Sequence, residues 1–211
     1  MNPPKPFHYL LEVAEMLSSL DKPWYIAGGW AIDLYLGQQR RNHKDVDIAI
    51  FRQDQLAFQE YFLDRSWKLR KYIGDSVQVE PWLIGEQLNL PDRGILAEPS
   101  DVAMPRIDIL LSETKGDLWY YHADSRITHP VKTLGLRSDL GVPFFSPEIV
   151  LLFKARHVST DEPNDSIHQE NDEKDFQAIR RLLTTEQRTW LVKALILFYS
   201  NHPWLKYLME S

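Results

Sequence analysis

The chain has 211 residues, with 24 Lys+Arg against 30 Asp+Glu, a net charge of −6, and no cysteine. At 44% hydrophobic and 26% charged it has the composition of a globular chain that buries a core without disulfide or metal staples. A disulfide framework, a thiolate metal site and a cysteine nucleophile are excluded, and the acidic balance argues against bulk nucleic-acid binding, which needs a basic face.

The segment 1–7 is Pro-rich and lacks the apolar run of a signal peptide. No stretch approaches the roughly 18 consecutive apolar residues of a membrane span. The expectation is a cytoplasmic protein without a membrane partner. Phe7, Leu10, Leu11, Ala14 and Leu17 follow the spacing of an amphipathic helix that ends before Asp21-Lys22-Pro23. Trp24–Ala27 reads as a short strand cut off by Gly28-Gly29, and Trp30–Leu36 as a helix closed by Gly37. Val46–Phe51 is β-branched and apolar enough for a buried strand. Asp54–Asp64 returns to a helical period. Trp67–Ile73 and Ser76–Leu83 read as a hairpin turning at Gly74-Asp75. The Pro-punctuated stretch 88–104 has no clear period and is expected to be a loop, followed by a strand at Arg106–Leu111 and a turn at Lys115-Gly116. Past residue 112 the chain reads as mostly helical. Pro147–His157 begins behind a plausible Ser146 cap; the acidic stretch 161–171 reads as structureless. Helices follow at Asp172–Leu183 and Glu186–Tyr199, the latter capped by Thr184 or Thr185 and broken at Asn201-His202-Pro203. Two units are thus expected, an α/β half over 1–112 and a mostly helical half over 113–211.

Asp45 and Asp47 stand two apart at the start of a strand, so their carboxylates leave the same face. At that separation they repel by about a few kcal/mol at intermediate dielectric, which a cation, protonation or full exposure must relieve. A divalent metal gives the pair a chemical role; two ordinary surface acids are the plainer alternative. The Gly28-Gly29 turn before a helix allows backbone N–H groups to approach an anion, and the helix dipole favours one there. Strand, Gly-Gly, helix, then a strand opening Asp-x-Asp puts phosphate donors and metal-binding carboxylates on adjacent strand ends. Asp108, inside an apolar strand, is the best third carboxylate, because an acid there is costly unless paired or metal-bound. A salt bridge to Arg106 is its alternative reading. Glu80 competes for the third position but stands next to Pro81-Trp82. Among the remaining candidates, Arg40 reads as a solvent-exposed charge and Asp33 as a residue fixing the turn. Trp82 and Trp119 are the tryptophans to look for in a cleft.

The run Gly28-Gly29-Trp30-Ala31-Ile32-Asp33 with Arg41-x-His43-x-Asp45-x-Asp47 resembles the aminoglycoside and lincosamide nucleotidyltransferases of the DNA polymerase beta-like superfamily, and among them the aminoglycoside-2″-adenylyltransferase type. The resemblance is specific over residues 24–51. It extends loosely through Asp108, Pro147-Glu148, Lys154 and Asp172-x-x-Asp175-Phe176. It departs from the pattern at Asn171, where a lysine is often found, and in an apparent insertion over 161–170, both on the acceptor side. The resemblance implies an α+β fold, a mixed β-sheet flanked by helices and followed by a small C-terminal helical segment that completes the acceptor cleft. It implies catalytic and metal-binding roles for Asp45, Asp47 and Asp108, with two Mg²⁺, and with Asp108 or Glu148 as general base. Gly28, Gly29, Arg41, His43, Lys44 and Lys154 would bind ATP or another NTP. The implied reaction moves a nucleoside monophosphate to a hydroxyl of a small acceptor, releasing pyrophosphate, in a monomer or homodimer. A protein- or RNA-modifying, toxin-like nucleotidyltransferase and a non-catalytic nucleotide-binding protein are the alternatives, the missing basic stripe speaking against RNA.

Overall fold

A computed structural model describes residues 6–74, 76–101, 104–159 and 166–210. The first helix, α1 (His8–Leu17), buries Leu10, Val13 and Leu17 completely, one stripe at helical spacing. Each such side chain contributes about 2 kcal/mol on leaving water. Strand β1 (Trp24–Ile26) leads directly into α2 (Gly28–Leu36), so the helix begins at the Gly-Gly pair itself rather than at Trp30. Gly37 ends it with φ 68°, a left-handed turn that glycine adopts without the cost borne by other residues. Strand β2 (Val46–Phe51) and helix α3 (Gln55–Leu63) follow, then β3 (Lys68–Tyr72) and β4 (Val79–Pro81), which pair antiparallel as the expected hairpin.

The stretch 88–104 is not all loop. It contains β5 (Gly94–Glu98), with Gly94–Ala97 buried, in the interior of the sheet between β3 and β6 (Ile107–Lys115). A five-residue strand fixed by partners on both edges needs no alternating pattern of its own, because both of its faces are covered. The sheet also runs on past residue 112. Strand β7 (Leu118–Tyr120) follows the expected turn at Lys115-Gly116, and β8 (Thr128–Pro130), β9 (Gly135–Arg137) and β10 (Pro143–Phe145) carry strands into a half expected to be mostly helical. Three residues are too few to carry a period, so only their pairing defines them. The path across the sheet is β4-β3-β5-β6-β2-β1-β10-β9, with β7 and β8 extending from β6. Two of its pairings are parallel, β2 with β6 and β1 with β10.

Past residue 112 the first α-helix is α4 (Pro147–Ser159), followed by α5 (Ser166–Ile179), α6 (Thr185–Phe198) and α7 (Trp204–Met209). Residues 166–171, expected to be structureless, form the start of α5, while 161–165 lie outside the described residues. Thr184 caps α6 in a reciprocal capping box with Gln187. Trp82 and Trp119 are both buried and neither reaches the cleft: Trp82 Nε1 donates to the Glu86 carbonyl at 2.9 Å. No helix among the described residues is long and apolar enough to cross a membrane.

Candidate active site

Parallel pairing sets Asp47 of β2 opposite Asp108 of β6. Asp45 lies just before β2, and one carboxylate oxygen from each of the three acids falls within 4.8 Å of the others. Just past β1, the Ala27 N–H donates to the Asp47 carbonyl at 2.9 Å, which ties the Gly-Gly turn to β2. Gly28 has φ 59°, and a Cβ there would lie 2.0 Å from Asp47 Oδ2. Both facts demand glycine: no other side chain fits between the turn and the carboxylate. Gly29 lies against Arg41 and His43 instead, where a Cβ would come within 2.3 Å of Arg41 Nη2. The residue capping α2 is Ala27, which makes no side-chain cap bond, so the N-cap position supplies no side chain to the first N–H groups of the helix, and Ala27, Gly28 and Gly29 line the cleft.

A cleft of about 730 Å³ opens over these groups. Arg41, Lys44, Arg106, Lys154 and Arg156 bring cations to it, and Leu110, Phe145, Val150 and Phe153 give it an apolar side. Arg41 Nε is buried without a hydrogen-bond partner, an unsatisfied donor beside the Gly-Gly turn.

The electrostatics are those of crowded acids. Burial pushes the Asp47 carboxyl up to about 7, and the Asp45 and Asp108 charges push the same way against the weaker pull of Lys154 and Arg41. Burial also raises Asp108, opposed by a 2.5 Å hydrogen bond from the Tyr72 hydroxyl to its Oδ1 and by Arg106. Arg106 Nη2, half-exposed at the rim, lies 2.8 Å from Asp45 Oδ2 and 3.4 Å from Asp108 Oδ2. The salt bridge weighed for Asp108 is therefore present, and it coexists with the acid cluster. An all-oxygen donor set in which burial and crowding both work against the charge of Asp47 suits a hard divalent cation such as Mg²⁺.

Behind the cleft runs a buried network of charges. Asp33, fully buried in α2, accepts from Arg40 Nε at 2.8 Å and pairs with His43 Nε2 at 2.8 Å. Burial alone would raise its carboxyl, but His43 and Arg40 outweigh that and hold it below the ordinary range. Arg40 also bonds Asp175 of α5, and Asp175 lies 2.8 Å from Lys154 of α4, which bonds Asp172 as well. Burial would lower the Lys154 ammonium, yet the Asp175 and Asp172 carboxylates hold it above its ordinary value. Arg40 is therefore a half-buried strut between α2 and α5, not the surface charge its position suggests; its partners are seven and 135 residues away.

Residues 9–80 match the family model described as Aminoglycoside-2″-adenylyltransferase. No curated protein sequence matches the chain. Among solved structures, the solution structure of the antibiotic-resistance factor ANT(2″)-Ia is 17% identical, with 96% of this chain and 95% of that one covered at a TM-score of 0.60. The crystal structure of ANT(2″)-Ia in complex with adenylyl-2″-tobramycin is 17% identical over 90% of this chain and 98% of that one, at 0.59. The lincomycin-bound lincosamide antibiotic adenylyltransferase LnuA is 17% identical over 81% and 96%, at 0.54. The chain is nucleotidyltransferase-like in fold. Its mixed sheet and helices are the α+β architecture of those proteins, as the sequence resemblance implied.

The nine residues that the sequence resemblance assigns to metal or nucleotide line one cleft: Gly28, Gly29, Arg41, His43, Lys44, Asp45, Asp47, Asp108 and Lys154. They are not equally available. His43 has Nε2 committed to Asp33 and its ring stacked on Trp30 at 4.2 Å, while Trp30 Nε1 donates to the Asp45 carbonyl at 2.9 Å. It props the Gly-Gly turn and the metal-side strand as much as it faces the cleft. Lys154 is 7% exposed and clamped between two carboxylates. Glu148 does not line the cleft: it is buried against Ser146 Oγ at 2.5 Å and His129 Nε2 at 3.3 Å, which removes it as a base toward a bound acceptor. Glu80, the competing third acid, pairs with Lys71 at 3.3 Å on the outer hairpin. Sequence reasoning gave no cleft role to Arg156, His122, His168 or Asn171, nor any link between Tyr72 and Asp108. Asn171 was the one with a signal, as the position where the family pattern is broken; the others have no local mark.

Proposed function

We propose that the protein is a divalent-metal-dependent nucleotidyltransferase that moves a nucleoside monophosphate, AMP from ATP, to a hydroxyl of a small acceptor of aminoglycoside or lincosamide type. The observation that carries this reading is Gly28 packed without a side chain against Asp47, inside a cleft that also holds Asp45 and Asp108. Phosphate donors and metal-binding carboxylates are then neighbours, as a metal-bound triphosphate requires.

Asp45, Asp47 and Asp108 would hold Mg²⁺, which supplies charge neutralisation at the phosphates and at the attacking and leaving oxygens. The chain's own groups do the rest. The α2 N-terminus with Gly28 and Gly29 receives the triphosphate, and Arg41, Lys44 and Lys154 face its charge. Asp108 takes the proton of the acceptor hydroxyl as that oxygen forms its bond to the α-phosphorus. The bond from the α-phosphorus to the bridging oxygen of the β-phosphate breaks, and pyrophosphate leaves with the electron pair. Position and charge supply most of the acceleration in such transfers. Helices α4 and α5, which carry Phe153, Arg156 and Asn171 to the cleft, form the acceptor wall in this reading.

The test is pyrophosphate release from ATP and Mg²⁺ across a panel of aminoglycosides, lincosamides and other small hydroxyl compounds. Turnover with a panel member and its loss in Asp108→Asn supports the reading. Absence of turnover with every acceptor, together with absence of nucleotide binding, refutes it. Labelled macromolecules after incubation with cell lysate and α-labelled ATP would point to the toxin-like alternative.

A further inference from the structure

The register of β3, β5 and β6 brings a distant side chain onto one of the three acids. Across β5 and β6, Leu96 faces Asp108 and Gly94 faces Leu110; across β3 and β5, Arg70 faces Leu96 and Lys71 faces Ile95. Tyr72, next after Lys71, comes level with Gly94. Residues two apart on a strand share a face, so Tyr72 and Asp108 stand on the same side of the sheet with β5 between them. At that crossing β5 has no side chain. The Tyr72 ring lies in the gap: a Cβ on Gly94 would be 3.0 Å from Tyr72 Cδ2 and 3.4 Å from the Ile109 carbonyl oxygen. Laid across glycine, the ring delivers its hydroxyl to Asp108 Oδ1 at 2.5 Å. The other oxygen, Oδ2, is on the side of Arg106, which holds Asp45 Oδ2 at the same time. Tyr72 itself does not line the cleft.

A carboxylate turns easily about its last torsion, which is broad and two-fold. A hydrogen bond to one charged oxygen removes that freedom and is among the stronger neutral-to-ion contacts. We propose that Tyr72 is a positioning residue for Asp108, reaching across the bare strand at Gly94 to hold one carboxylate oxygen so that the other is presented to Asp45 and the metal-binding side of the cleft. Gly94 is the second half of the device, since a Cβ there would lie 3.0 Å from Tyr72 Cδ2 and press the ring off its present line to Asp108. The inference rests on the nucleotidyltransferase reading and adds to it a residue one strand removed from the site.

The experiment is Mn²⁺ binding, followed by electron paramagnetic resonance in the presence of α,β-methylene-ATP, on the full chain and on Asp47→Asn, Tyr72→Phe, Gly94→Ala and the double variant Tyr72→Phe/Gly94→Ala. Tyr72→Phe keeps the ring and removes only the hydroxyl. It is expected to weaken Mn²⁺ roughly tenfold, the effect of losing one hydrogen bond to a charged group, with the native fold retained by circular dichroism. Gly94→Ala should weaken Mn²⁺ by a similar factor, and the double variant should be no worse than the weaker single one, because both act through one contact. Wild-type affinity in Tyr72→Phe, with Asp47→Asn still defective, overturns the inference and leaves the nucleotidyltransferase reading standing. Equal Mn²⁺ binding by wild type and Asp47→Asn overturns both.

Discussion

Replacing Asp175 by Asn removes one charge from the middle of a buried ladder and leaves its shape almost intact. Asp175 is 1% exposed and serves two cations, Arg40 from the loop after α2 and Lys154 from α4, the latter at 2.8 Å. Removing one partner of a buried ion pair costs about 3–5 kcal/mol, because the surviving charge stays buried without compensation. Here each cation keeps a second carboxylate, Asp33 for Arg40 and Asp172 for Lys154, so the low end, about 3 kcal/mol, applies. For a chain of this length about 1 kcal/mol corresponds to roughly 2–4 °C in melting temperature, so Asp175→Asn should melt roughly 6–12 °C lower. Differential scanning calorimetry at neutral pH reads this directly. A fall below about 2 °C would refute the reasoning, since it would mean that the two cations are solvated or paired well enough without Asp175.

Four further outcomes follow from the same geometry. Gly28→Ala should abolish nucleotide binding, measured by calorimetry, because the new methyl meets Asp47 Oδ2 at 2.0 Å and the left-handed backbone adds about 1–2 kcal/mol of strain. Gly29→Ala, whose methyl meets the movable end of Arg41, should weaken binding without abolishing it. His202 is buried, its Nε2 against the Ala155 carbonyl at 3.0 Å and its Nδ1 accepting from the Trp204 N–H, and burial holds its pKa below the ordinary 6.5. A base with a depressed folded pKa stays neutral in the native state while the unfolded chain takes up the proton, so its contribution is complete above about 6.5 and is lost as pH falls. Denaturant midpoints should accordingly drop between pH 7.5 and 5.5, and His202→Gln should reduce that slope. Thr184→Ala, which removes the capping box of α6, should cost about 1 kcal/mol in urea unfolding.

The Gly-Gly side of the cleft was legible because its determinants are local. Gly28-Gly29, Arg41, His43, Asp45 and Asp47 lie within one strand–helix–strand unit, where spacing alone decides which faces meet. Asp108 was legible for a different reason: an acid in an apolar strand asks for a partner, and the β2–β6 register supplies Asp47. What stayed hidden depends on contacts between distant segments. Arg40 looks like a surface charge until α5 brings Asp175 to it, and Lys154 looks like a helix lysine until α5 clamps it. Strand β5 is invisible as a pattern, because its interior place in the sheet comes from β3 and β6 on either edge and not from its own sequence. The three-residue strands β8, β9 and β10 are of the same kind, which is why the sheet outlasts the boundary expected at residue 112. Tyr72 carries no mark at all, since its role exists only because Gly94 leaves room beside it.

The central claim is that Asp45, Asp47 and Asp108 make the Gly28-Gly29 cleft a site for a metal-bound nucleotide. Calorimetric titration of α,β-methylene-ATP into wild type and Asp47→Asn, each with and without Mg²⁺, tests it most directly. The account predicts tight binding only for wild type with Mg²⁺. Equal binding without Mg²⁺, or by Asp47→Asn, would contradict it.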